Sequence, residues 1–261
     1  MEIKSIGAIL GDIIGSPYEF DNIKMKDFPL FSEYSCITDD SILTIATMQA
    51  LMDGGSSEDF RRNYRLFGNK HDSSYGLRFY DWLKSDDPQA YNSWGNGSAM
   101  RVGPVAWFYD DLETVERVAE VSASVTHDHP LGIKGAQATA SAVFLARTGK
   151  SKQEIKSYVE TRYGYALNFT LDEIRPDFGF DESCEGTVPP AIVAFMESDG
   201  FEDAIRSAVS LGGDSDTIAA ITGSIAETFY GVPVEISNEV STYLPKELKN
   251  TLMAFNFKLL M

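Results

Sequence analysis

Apolar residues recur along most of the chain at the i, i+3, i+4, i+7 spacing that puts them on one face of an α-helix, and convincing alternating strands are absent. In "DLETVERVAEVSASVTH", Leu112, Val115, Val118, Ala119, Ser122 and Val125 share such a face. The same period predicts helices over 39–52, 57–68, 75–84, 131–147, 187–197, 201–210, 216–229 and 246–256. A further helix over 151–162 opens on "SKQE", where Ser151 and Glu154 have capping-box spacing. Gly7, Gly11 and Gly15 in "GAILGDIIG" recur every fourth residue, which predicts a first helix packed closely on a neighbour. Two stretches, 17–37 and 163–186, lack a period but are aromatic and acidic, so they read as ordered loops that line a site rather than as linkers. With no internal repeat and no boundary, the pattern predicts one mostly α-helical domain over 1–261.

Composition narrows the partners. The chain is 43% hydrophobic, enough for a packed core, and carries a formal charge of −17, with 39 Asp and Glu against 22 Lys and Arg. No basic block tracks a phosphate backbone, which argues against a broad nucleic-acid surface. An anionic ligand would have to be held locally, by backbone N–H groups, helix N-termini or metal ions. The two cysteines, Cys36 and Cys184, belong to no CxxC pattern, so neither a disulfide framework nor a zinc site is expected. Asp12 and Gly11 interrupt the apolar N-terminal stretch before it resembles a signal peptide, and no run reaches the ~18 apolar residues of a membrane span. The expectation is a cytoplasmic protein in which the sequon "NFT" at Asn168 is idle.

Candidate chemistry gathers at three acidic clusters. "TDDSILTIATMQAL" puts Thr38, Asp39 and Asp40 before one helical run, and "GGDSDTIAAITGSIAE" puts Asp214, Asp216 and Thr217 before another. Asp and Thr are good N-caps, and their charge suits the positive end of the helix dipole. One cap, however, needs one oxygen, and each cluster offers two carboxylates and a hydroxyl. Like charges that close repel unless a cation offsets them. Divalent Mg or Mn prefers such oxygen donors, and paired ions need carboxylates from separate elements. An EF-hand at Asp214 fails, because Ala219 replaces its glycine and Ile225 its terminal glutamate. In the third cluster, "GAILGDIIGSPYEF", Glu19 lies just past Pro17 on the loop side of the helix end, where a carboxylate has no evident structural task.

"SWGNGSAMRVGPVAW" supplies a local anion site of the expected kind. Gly95, Asn96, Gly97 and Ser98 precede a helical pattern from Ala99, a turn that exposes several N–H groups, and no Walker lysine follows. A plain turn with a helix cap accounts for the same residues. His127 and His129 in "SVTHDHPLG" suit hydrogen bonding or capping better than metal ligation, and His71 gives no signal.

Seven segments in this order, "GAILGDIIGSPYE", "TDDS", "SYGLRFYDWL", "YNSWGNGSAMRVGPV", "SVTHDHP", "TVPPAIVAF" and "GGDSDTIAAITGSIA", resemble the ADP-ribosylglycohydrolase family over nearly the whole chain. The resemblance implies an all-α orthogonal bundle with two Mg or Mn ions in a central cleft. It implies metal ligation by Thr38, Asp39, Asp40, Asp214, Asp216 and Thr217, and catalytic carboxylates at Glu19, Asp39 and Asp214. Gly97, Ser98 and Met100 match the loop that cradles the diphosphate of ADP-ribose, His127 a histidine near those phosphates, and Tyr75 and Gly76 the segment that approaches the distal ribose. Ser41 departs from the Thr or small residue common after TDD, with no expected effect on ligation. The implied reaction is hydrolysis of the bond between ADP-ribose and an acceptor, and arginine, serine, nucleic-acid base and small ester conjugates all present the same ribose. A non-catalytic ADP-ribose binder and a crystallin-like structural protein are the alternatives. The joint presence of the ligand set and Glu19 argues against both.

Overall fold

A computed structural model describes residues 3–261; Met1 and Glu2 of the expected 1–261 domain lie outside the described residues. The long helices that the apolar period predicts are present. In chain order the helices are α1 (Gly7–Gly15), followed by a 3₁₀ turn (Ser16–Tyr18), α2 (Asp39–Asp53), α3 (Ser57–Lys70), α4 (Leu77–Lys84), α5 (Gly97–Met100), α6 (Gly103–Phe108), α7 (Leu112–Ser124), α8 (Pro130–Arg147), α9 (Lys152–Tyr163), α10 (Leu171–Ile174), α11 (Cys184–Glu197), α12 (Phe201–Val209), α13 (Ser215–Tyr230), α14 (Val234–Tyr243) and α15 (Lys246–Lys258). Among the described residues there is no strand, only one isolated bridge between Gly95 and Ser183. No helix among them is long and apolar enough to cross a membrane. The fold is all-α, as the period predicts and as the resemblance implies.

Helix α13 is buried along its length from Ser215 to Glu227, as expected of an element surrounded by others. Helix α1 crosses it backbone to backbone. A Cβ on Gly7 would sit 2.1 Å from the Gly223 carbonyl oxygen, one on Gly11 2.1 Å from that of Ala219, and one on Gly15 2.5 Å from the Asp216 Cα. The four-residue glycine stripe is therefore the antiparallel contact surface of α1. Glu227 completes the contact by accepting hydrogen bonds from the Ile6 and Gly7 N–H groups at 3.2 and 2.7 Å, which caps the otherwise uncapped start of α1. The consequence for function is positional: the C-terminal end of α1 lies against the N-terminal end of α13.

Three local readings needed revision. The helix expected from Ala99 is two short ones, because Pro104 enters α6 in its first turn and cannot donate to the preceding turn. The loop 163–186 contains the one-turn helix α10, fixed by a reciprocal Thr170/Glu173 capping box. Helix α14 has only Ile236 and Val240 fully buried and a proline for its N-cap, too sparse a pattern to read from sequence. The expected box at Ser151 and Glu154 is present, with both arms made.

Candidate metal and ligand cleft

The two acidic helix starts meet. Thr217 at the start of α13 donates its hydroxyl to Asp40 Oδ2 at the start of α2, at 3.2 Å. Glu19, Asp214 and Asp216 each offer a carboxylate oxygen within 4.8 Å of the others, a group able to hold a cation. A cavity of about 460 Å³ is lined by Glu19, Asp39, Asp40, Asp214, Asp216 and Thr217 together with Gly76, Gly97, Met100 and His127. That volume is in the range of small-molecule sites. Thr38, Tyr75 and Ser98 are not among its lining residues. Thr38 turns its hydroxyl to Asp12, Tyr75 donates to the His71 carbonyl at 2.8 Å, and Ser98 donates to the Gly132 carbonyl at 2.8 Å.

Asp40 and Asp214 make no capping bond, and at α2 one residue not singled out from sequence explains why; at α13 Asp216 Oδ1 does accept the Thr217 N–H, at 2.9 Å. Asp12, fully buried on α1, accepts the N–H groups of Thr38 and Ser41 at 2.9 and 3.0 Å and the Thr38 hydroxyl at 2.7 Å. Thr38 in turn accepts the Asp40 N–H at 3.3 Å. The N–H groups of Thr38, Asp40 and Ser41 are thus met by Asp12 and Thr38. Asp40 Oδ1 is left buried without any hydrogen-bond partner. At α13 the N-cap position is Asp214, whose side chain makes no capping bond; it accepts instead from the Asn96 side-chain amide at 2.6 Å. An unpartnered carboxylate oxygen costs several kcal/mol when buried without compensation, a cost that a cation bound beside it would relieve.

Electrostatics point the same way. Burial first, then the charges of Asp12, Asp214 and Glu19, push the Asp39 carboxyl up to about 7. Burial, then Asp214 and Asp12, raise Glu19 to about 7 as well. Asp40 and Asp216 are raised further, again by burial first and then by neighbouring aspartates. The cluster repels itself, and divalent cations are the ordinary means of relieving such repulsion.

Two long loops frame the carboxylates. Gly212 and Gly213 adopt left-handed φ of +67° and +70°, a turn that only glycine makes without strain, and deliver the chain to Asp214. Asn22 holds that turn: its carbonyl accepts the Gly213 N–H at 2.7 Å while its amide donates to the carbonyls of Gly213, Tyr18 and Glu19. The Glu19 loop and the Asp214 loop are thereby fixed to each other. The second loop, 163–186, pairs with the 91–97 segment, since Asn96 N–H donates to Glu182 and Cys184 N–H to Trp94. Exposed Phe20 and Phe180, one from each loop, stand at the cavity mouth.

The opposite charge lies nearby. Arg78 and Arg101 also line the cavity, and theirs are the charges that, after burial, hold the His127 ring well below its usual range. Arg101 is fully buried with its guanidinium 4.0 Å from the Tyr64 ring centroid. Neither arginine was singled out from sequence, although Arg101 is the only charged residue in the run "SAMRVGPVAW". His127 Nε2 would lie 3.2 Å from a Cβ on Gly97 and 3.5 Å from one on Gly95, so both glycines permit the ring's close approach. The cleft is therefore bipolar, with carboxylates at the two helix starts, cations beside His127, and Asn96 between them.

Comparison with known proteins shows which family has this sequence and fold. The ADP-ribosylglycohydrolase family model matches residues 5–254. The chain is similar to ADP-ribosylhydrolase ARH3 of Bos taurus and of Homo sapiens, each 26% identical, the alignments covering 87% of this chain and 83% and 84% of those proteins. It is 30% identical to ADP-ribosylarginine hydrolase Tri1 of Pseudomonas putida (strain GB-1) over a shorter region, 58% of this chain and 42% of that one. The fold matches a solved structure described as an ADP-ribosylglycohydrolase-related protein complex, with a TM-score of 0.71 at 22% identity over 97% of this chain and 95% of that one. With a family model spanning nearly its full length and the family's helical fold beneath it, the chain belongs to the ADP-ribosylglycohydrolase family.

Proposed function

We propose that this protein hydrolyses the glycosidic bond that joins ADP-ribose to an acceptor, in a cleft that holds two Mg or Mn ions. The observation that carries the reading is the surplus of carboxylate at the two helix starts, summed up by the partnerless Asp40 Oδ1 and the non-capping Asp214. Asp39, Asp40, Asp214, Asp216 and Thr217 would hold the cations, with Thr38 close behind them. When bound, the metals supply Lewis acidity that orients ribose hydroxyls and lowers the pKa of water.

The protein's own residues do the rest. Hydrolysis of a glycoside passes through an oxocarbenium-like transition state, and the carboxylates of Asp39 and Asp214 place negative charge where positive charge develops. Glu19, at the edge of the cluster and half-buried, can hold a proton at its carboxyl and deliver it to the leaving group. Gly97 and His127 face the same cavity from the cationic side, where a diphosphate is best placed on a protein of charge −17. The acceptor class is an arginine or serine side chain, a nucleic-acid base or a small ester.

The test is a panel of these four conjugates assayed with Mg, with Mn and in chelator. Metal-dependent release of free ADP-ribose from at least one of them supports the reading. Tight ADP-ribose binding without turnover of any would replace it with a binding module, and no binding at all with a structural protein.

A further inference from the structure

Arg101 is an unusual residue to find at the bottom of a cleft. It is 0% exposed, its Nε and Nη1 have no hydrogen-bond partner, and its planar cation rests on the face of Tyr64. A buried guanidinium with so few partners is costly, and cation–π attraction offsets only part of that cost. Its one hydrogen bond is specific: Nη2 donates to the Thr126 hydroxyl oxygen at 2.7 Å. The same oxygen lies 2.7 Å from His127 Nδ1, and the ring edge that carries Nε2 looks onto Gly97. Tyr64 is itself fixed from behind, its hydroxyl 2.9 Å from Thr47 Oγ1 and 2.7 Å from Ser122 Oγ.

The proton count along this line has one good solution. Arg101 can only donate, so it occupies a lone pair of Thr126 Oγ1. The hydroxyl proton of Thr126 then has two candidate acceptors: His127 Nδ1 at 2.7 Å or the Ala123 carbonyl at 3.5 Å, the outer limit of a hydrogen bond. Donation to Nδ1 makes a short bond and leaves the ring proton on Nε2. The alternative tautomer would bring two N–H donors, one of them charged, onto a single oxygen, and would spend the hydroxyl proton on a long contact. A doubly protonated ring is disfavoured by burial and by the arginine charges.

We propose that Arg101, acting through Thr126, is a positioning residue that holds His127 as the neutral Nε2–H tautomer and so aims a hydrogen-bond donor at an anionic ligand oxygen beside Gly97. The nature of that ligand rests on the function proposed above; the relay itself does not. Arg101 touches no reacting atom in this scheme. It adds positive potential beneath the anion and sets the direction in which the histidine donates.

The protein has three histidines, so their ring nitrogens can be resolved by ¹⁵N NMR without ligand or metal. The expected result is His127 with Nε2 protonated and Nδ1 bare throughout the neutral range. Thr126→Val should convert this to a mixture of tautomers, Thr126→Ser should restore the single one, and Arg101→Met should shift the ring toward Nδ1–H by freeing the threonine lone pair. With ADP as the probe, Thr126→Val should bind roughly tenfold more weakly, the size of one hydrogen bond to a charged group, and Thr126→Ser near the wild-type value. A wild-type His127 protonated on Nδ1 overturns the relay, as does a Thr126→Val variant whose tautomer is unchanged. The wild-type spectrum decides the matter even if a variant fails to fold. Should the tautomers behave as stated while ADP does not bind, the diphosphate reading of the cleft falls and the relay stands.

Discussion

Replacing Gly11 by alanine tests whether the α1 to α13 contact builds the acidic cleft. The new methyl would lie 2.1 Å from the Ala219 carbonyl oxygen and 2.3 Å from its carbon, more than an ångström inside ordinary van der Waals contact. Both obstacles are helix backbone, so no side chain can swing aside, and the helices must separate by roughly 1 Å. Overpacking of this kind costs about 1–3 kcal/mol and alanine's better helix propensity returns at most about 1. The net loss, about 1–2 kcal/mol, corresponds to a Tm lower by roughly 2–8 °C for a domain of this size. The displacement should also reach the site, since α1 carries Asp12, which anchors the start of α2, and abuts Asp216 at the start of α13. Thermal unfolding by circular dichroism and a Mn²⁺ titration of the same variant measure both effects, with affinity expected to fall at least tenfold. Gly200→Ala, where nothing lies within 4 Å of the added methyl, is the control. If Gly11→Ala were as stable and bound Mn²⁺ as well as that control, the close contact would not be what aligns the two helix starts.

The other expectations concern the carboxylates and their supports. Asp40→Asn should raise the Tm of the metal-free protein by a few degrees, because it removes charge from a self-repelling cluster, yet abolish the stabilisation that Mn²⁺ gives the wild type; parallel thermal melts with metal and with chelator would show the two effects as opposite in sign. Glu19, Asp39 and Glu227 are each pushed up to about 7 from ordinary values of 4.5, 3.8 and 4.5, chiefly by burial, so the folded metal-free state holds their protons more tightly than the unfolded chain does. Their contribution to stability is fully present below about pH 4 and lost as pH rises through 7; the chelated protein should therefore melt lower at pH 8 than at pH 5.5, and the gain in Tm from Mn²⁺ should grow over the same interval. Asn22→Ala should cost about 1–2 kcal/mol and weaken Mn²⁺ binding, because it releases the Glu19 loop from the Gly213 turn; calorimetric titration showing unchanged affinity would remove Asn22 from the account.

What could be read from sequence was what local rules determine. Amphipathic period located the long helices, the glycine stripe foretold a close helix crossing, and the Ser151/Glu154 spacing foretold its capping box. The acidic helix starts were recognisable because each held more oxygen than a cap requires. Distant pairings were not legible. Asp12 reads as a blemish in an apolar helix until its partners, 26 and 29 residues further on, are in place. Asn22 acts across 191 residues, and Arg101 reaches Thr126 across 25, with no pattern to announce either. Helix α14 was invisible for a different reason, since two buried side chains do not make a period. The sequence makes Asp214 a candidate cap for α13, and only the fold shows its carboxylate turned away from that task.

The proposed reaction stands on the carboxylates of the two helix starts binding the metal that hydrolysis needs. Release of ADP-ribose from a conjugate that the wild type cleaves should be measured in Mn²⁺, after chelation, after Mn²⁺ is restored, and for Asp214→Asn in Mn²⁺. The expected result is turnover in Mn²⁺, none in chelator, full recovery on restoring the metal, and a loss on the order of a thousandfold or more in the variant. Undiminished release in chelator, or a fully active Asp214→Asn protein, would contradict it.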